Sequence, residues 1–117
     1  MYQQSLPPSS DSPAAAAIWA RGIALAERAE LADQAEKLAR ELVSQAVRRA
    51  PIGQIYAEID VRDAALRIEV RSTGGHPGGG SEWAEISTIS ASYGTSSDQQ
   101  SHTAWAELRT VAACPHA

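Results

Sequence analysis

Two consecutive runs of strict alternation constrain the fold of this chain more than anything else in it. Ile55, Ala57, Ile59 and Val61 alternate with Tyr56, Glu58 and Asp60. After a short turn across Arg62–Ala65, Leu66, Ile68 and Val70 alternate with Arg67, Glu69 and Arg71. A period of two sends successive side chains to opposite faces, so the runs predict an antiparallel hairpin with one apolar and one charged face. A lone hairpin is marginal in water, and its apolar face needs a cover.

The segment just upstream can supply one. Leu31, Ala35, Leu38, Leu42 and Ala46 recur at spacings of four, three, four and four, a single apolar stripe along a helix that ends at Ala50-Pro51. Glu27, Glu30, Asp33, Glu36, Lys37 and Arg40 lie off the stripe, with Glu36 and Arg40 four apart in the favourable order, and read as a solvated face. Ala14–Ala26 is rich in helix formers and places Trp19 and Ile23 four apart, which predicts a first helix. Downstream, Trp83, Ile86, Ile89 and Tyr93 fall at helical spacing. In Thr103–Arg109, Ala104, Ala106 and Leu108 alternate with Trp105 and Glu107, as in a closing strand. Ser72–Ser81 holds five glycines and a proline and is expected to be a flexible loop.

The order helix, helix, strand, strand, glycine loop, helix, strand predicts an α+β two-layer sandwich, with helices on one face of a mostly antiparallel sheet. Residues 1–13 carry three prolines and four serines and are expected to form a flexible arm, although Leu6 could pair briefly with a sheet edge. The domain proper is expected over residues 14–109, with a tail at 110–117.

Composition narrows the function. The 117 residues are 44% hydrophobic and 21% charged, ordinary values for a single folded domain. A net charge of −4 without a basic stripe argues against direct nucleic-acid binding. The single cysteine, Cys114, allows neither an intrachain disulfide nor a cysteine zinc cluster. No apolar run approaches the ~20 residues of a membrane span, and Ala14–Ala20 lacks the basic flank of a signal peptide. These features fit a cytoplasmic protein that does not contact a membrane. His76, His102 and His116 are scattered without ligand spacing, and Trp19, Trp83 and Trp105 read as core or interface anchors.

Two segments have site-like chemistry. Glu41 and Gln45 lie four apart on the long helix, with Arg48 and Arg49 one turn on. A carboxylate there could orient or deprotonate an attacking hydroxyl, and an amide oxygen could bind magnesium; the same residues also suit a simple polar helix end. The glycine segment could wrap phosphates with backbone N–H groups ahead of a helix N-terminus, or be a bare linker. It lacks the lysine of a P-loop and the spacing of the dinucleotide fingerprint.

Taken together, residues 14–109 resemble the GHKL superfamily of gyrase- and histidine-kinase-type ATPases, and within it the anti-sigma-factor-like serine/threonine kinases abundant in actinobacteria. ELVSQAVRRAP resembles the helix in which a glutamate acts as base and an asparagine four residues later holds magnesium, which implies Glu41 and Gln45 in those roles. LRIEVRSTGG resembles the strand leading into the first glycine box, whose aspartate reads adenine; Ser72 stands at that position, followed by Gly74. The second glycine box aligns with Gly80, Ser81 and Glu82. SHTAWAELR resembles the last strand, whose threonine beside the adenine pocket would be Thr103.

Where the chain departs from this pattern, it departs towards weaker binding. Gln45 is one methylene longer than asparagine, and magnesium tolerates little misplacement. Ser72 removes the adenine-reading carboxylate, a loss of ~1.5–3 kcal/mol, or roughly tenfold to a hundredfold in affinity. Glu82 places negative charge where phosphate would approach, and the lid between Gly75 and Gly80 is very short. The resemblance therefore implies a regulatory ATPase-like domain with weak or absent ATP and magnesium binding. Its expected partners are a sigma factor, an anti-sigma antagonist or another transcription regulator, with a homodimer as a further option. The alternatives are an active ATP-dependent serine/threonine kinase, in which Glu41, Gly74 and Thr103 would all serve, and a purely structural or dimerisation module.

Overall fold

The computed structural model describes residues 1–49, 53–73, 89–97 and 101–110. Its elements are β1 (Tyr2–Leu6), α1 (Ser12–Glu27), a single 3₁₀ turn (Ala29–Leu31), α2 (Ala32–Arg49), β2 (Ile55–Arg62), β3 (Ala65–Thr73), β4 (Ser92–Ser97) and β5 (Ser101–Arg109). The strands form one antiparallel sheet in the order β1-β2-β3-β5-β4, with both helices on one face. This is the expected α+β two-layer sandwich. No helix among the described residues is long and apolar enough to cross a membrane.

The hairpin has the expected register. Ile59 lies opposite Ile68, and Val61 opposite Leu66, around a tight Asp63-Ala64 turn. Ala64 takes a left-handed φ of 55°, and its carbonyl accepts the Thr110 N–H at 2.9 Å, which fastens the end of β5 to the turn. The inward rows Ile55, Ala57, Ile59 of β2, Leu66, Ile68, Val70 of β3 and Ala104, Ala106, Leu108 of β5 are buried. They meet Leu38, Leu42 and Ala46 of α2, so the stripe read from the sequence is the helix–sheet interface.

Helix α1 packs chiefly on α2. Ala16, Ala20 and Ala24 recur every fourth residue and are buried, as are Ala35 and Ala39 of α2; such small side chains permit a close helix–helix approach. On the solvent side, Arg21 Nη1 reaches Asp33 Oδ1 at 2.5 Å and Glu36 Oε1 at 3.0 Å, and Arg40 pairs with Glu36 at 3.4 Å.

Two expectations need correction. Residues 1–13 do not form a flexible arm: Tyr2–Leu6 is an edge strand from Tyr2↔Ile59 to Leu6↔Ile55, and α1 begins at Ser12. Its anchors are local. Leu6 is buried, the Tyr2 hydroxyl donates to Glu27 at 2.5 Å, and the Ser12 hydroxyl donates to the Pro7 carbonyl at 2.5 Å. The second correction concerns only the end of the helix expected over Trp83–Ser92: Ile89 is helical and residues 83–88 lie outside the described residues, but Ser92–Ser97 is strand β4, which takes Tyr93 off the stripe. An edge strand takes backbone hydrogen bonds from one neighbour and buries little, so SYGTSS shows no apolar alternation. Ser72 and Thr73 belong to β3, so the expected loop starts no earlier than residue 74; Gly74, Gly75 and Gly80–Trp83 lie outside the described residues, as do His76, Cys114 and His116.

Candidate functional site

The C-terminal half of α2 crosses the ends of β3 and β5. Spacings of three and four carry Leu42, Gln45, Ala46 and Arg49 along one face of the helix. Opposite them, Val70 and Ser72 of β3 stand beside Ala104 and His102 of β5, joined by the register pairs Val70↔Ala104 and Ser72↔His102. These eight residues line a cavity of about 10 Å³. That is the threshold volume for one water molecule and far below what a nucleotide base needs.

The cavity has apolar walls and a polar floor. Leu42, Ala46, Val70 and Ala104 are buried hydrophobic residues, and Gln45 is 8% exposed. Ser72 is 1% exposed, and its hydroxyl has no hydrogen-bond partner among the described residues. Since buried hydroxyls are almost always paired, this marks a polar position that the surrounding packing does not satisfy. His102 is half-buried, and desolvation followed by the positive charge of Arg49 pushes its pKa below the ordinary 6.5.

Of the residues singled out in the sequence, the fold brings Gln45 and Ser72 together in this cavity. Glu41 lies one turn earlier on α2 and does not line it; its carboxylate faces Arg48 at 3.8 Å. Thr103 is on the other side of the sheet. It pairs with Arg71 in a row that continues through Trp105 and Glu107, whereas His102 shares the inward row of Ala104, Ala106 and Leu108. Gly74 and Gly80 lie outside the described residues. In the sequence Arg49 stands out only as a neighbour of the Glu41–Gln45 pair and His102 is weighed only as a metal ligand, although the alternation that turns Ala104 inward turns His102 inward as well.

The outer face of the sheet is charged. Arg67 stacks over Trp105 at 4.2 Å from the ring centroid, and Gly94 of β4 lies under the same indole. Glu107, 8% exposed, receives Arg109 at 3.1 Å and Arg62 at 3.7 Å. Two larger hollows of about 470 and 450 Å³ lie here, lined by residues such as Tyr56, Glu58 and Arg71 and by Asp60, Arg62 and Arg67. In the second of these, Arg67 pairs with Glu69 at 3.4 Å and Arg62 with Asp60 at 3.1 Å.

The fit to adenine and magnesium can be judged at the cavity. His102 occupies the inward position beside Ser72, no carboxylate among the described residues lines the space, and Thr103 lies in the opposite row of its strand. Among the described residues, no group of three or more His, Cys, Asp or Glu side chains comes together to hold a metal. The space left between the described residues is too small for an adenine ring. No family model matches the chain, and no curated protein matches it.

Proposed function

We propose that this chain is a degenerate GHKL-type domain that regulates a partner by protein contacts, with weak or absent nucleotide binding. One observation carries this reading: the cleft where the resemblance locates adenine is closed to about 10 Å³ around a buried serine hydroxyl. The two-layer architecture, with the hairpin under α2, supports the scaffold half of the proposal. Glu41, paired with Arg48 outside the cavity, is poorly placed to act as a catalytic base.

The proposed partners are a sigma factor, an anti-sigma antagonist or another transcription regulator, met in the cytoplasm. Affinity capture of the full chain from its source cells, followed by binding assays on each recovered protein, tests this half; capture that recovers none of these classes contradicts it. Titration with magnesium and ATP tests the other half. Restoring the family residues by Glu82→Gly with Ser72→Asp should raise ATP affinity, and an unchanged titration would refute the idea that those two positions weaken the site.

A further inference from the structure

Helix α1 is apolar on both sides. Its buried residues, among them Ala16, Ala20, Ile23 and Ala24, account for its packing on α2. On the opposite side Ala15, Ile18, Gly22 and Leu25 recur at spacings of three, four and three, the seam spacing of a heptad. Ile18 is 72% exposed and Leu25 54%, and from Ala14 to Ala26 every exposed residue of α1 is uncharged. The one charge in that span, Arg21, turns to Asp33 and Glu36 of α2. A solvent-facing helix surface ordinarily carries charge, so this face has the composition of an interface.

Gly22 indicates what covers it. A glycine inside a helix is unfavourable, and nothing within the chain requires one here, because a Cβ at Gly22 would meet no atom within 4 Å. It leaves a notch one turn from Ile18. If a second α1 runs antiparallel about a two-fold axis level with Ala20, Ile18 of each copy faces Gly22 of the other, and Leu25 faces Ala15. Every large side chain then meets a small one. Parallel pairing would instead set Ile18 on Ile18 and leave Gly22 opposite Gly22. Charge favours the same arrangement. Asp11, exposed at the start of the seam line, would come to the end of the other helix, where Arg28 donates to the Glu27 and Arg62 carbonyls and not to a carboxylate. Such self-complementarity is what an isologous interface requires and what a different partner would not.

We propose that the exposed face of α1 is a homodimer interface: two copies pair antiparallel, with Ile18 of each seated on Gly22 of the other and Leu25 on Ala15. The interface lies on α1 and does not depend on the proposed GHKL-type ancestry.

Sedimentation velocity of the full chain, from about 5 to 500 μM, reads the assembly. One helix pair ~24 Å long offers less than a standard interface, so a reversible dimer is expected. Ile18→Glu enters the interface twice and should weaken association roughly 100-fold or more, with far-UV circular dichroism unchanged. Gly22→Leu adds apolar surface and helix propensity, yet it fills the notch and should weaken the dimer at least about tenfold. A parent that stays monomeric throughout overturns the proposal and leaves the face to a different protein. A dimer that survives Ile18→Glu, or that Gly22→Leu tightens, also overturns it. Cross-linking checks the direction of pairing. In a Cys114→Ser background, the double variant Ala15→Cys with Leu25→Cys should form a disulfide-linked dimer under mild oxidation, and neither single variant should. Efficient linkage of Ala15→Cys alone would show parallel pairing and refute the arrangement.

Discussion

Replacing Ser72 by alanine should stabilise this protein. The side chain is 1% exposed, and its hydroxyl has no partner among the described residues. An unsatisfied buried hydroxyl costs ~1–3 kcal/mol. Two smaller terms oppose the gain: the void left by one oxygen atom, and the lower strand preference of alanine, each a few tenths of a kcal/mol. The net expectation is about 1 kcal/mol of added stability, or roughly 3–6 °C in Tm for a domain of this size. Urea denaturation of both proteins measures it, with an unchanged m-value confirming that the denatured state is the same. A loss of about 1 kcal/mol would refute the reasoning, because it would show that the hydroxyl is satisfied in solution, for example by a water shared with Gln45.

Three further outcomes follow from particular residues. Gly53 has φ +132°, and a Cβ there would collide with the Thr73 carbonyl oxygen, so Gly53→Ala should lower stability by about 2 kcal/mol in a urea titration. At Gly94 a Cβ would lie 2.9 Å from the Trp105 ring; Gly94→Ala should cost ~1–2 kcal/mol, and a double-mutant cycle with Trp105→Ala should recover about 1 kcal/mol of that. His102 titrates below its ordinary 6.5 when folded, so the unfolded chain binds the proton first. Its contribution is complete above about pH 6.5 and is lost as pH falls through the lower folded-state value. The parent should therefore lose more stability between about pH 7.5 and pH 5 than His102→Gln does, and equal losses would contradict the assignment. Asp33, held below its ordinary 3.8 by Arg21, loses its contribution only in stronger acid and does not overlap this window.

The parts of the fold readable from sequence are those in which burial imposes a period. The α2 stripe and the inward rows of β2, β3 and β5 repeat at helical or strand spacing because each buries one face. Strands β1 and β4 are edges held mainly by backbone hydrogen bonds, and QQS and SYGTSS show no period for that reason. The site was half legible. Gln45 and Ser72, singled out by likeness to a family, line one cavity, which by itself does not test that likeness. Thr103 was placed by the same likeness against the alternation of its own strand, and the alternation prevailed: His102 faces the helices. Arg49 gave no separate signal, because an arginine in the last turn of a helix is equally expected from the helix dipole.

The most direct test of the central claim, that the cleft between α2 and the sheet no longer serves as a nucleotide site, is isothermal titration of the full chain with magnesium and ATP. The expected result is no measurable heat, or a Kd weaker than about 100 μM that is unaffected by Glu41→Ala. A Kd tighter than about 100 μM, abolished by Glu41→Ala or Gly74→Val, would contradict it and favour an active kinase.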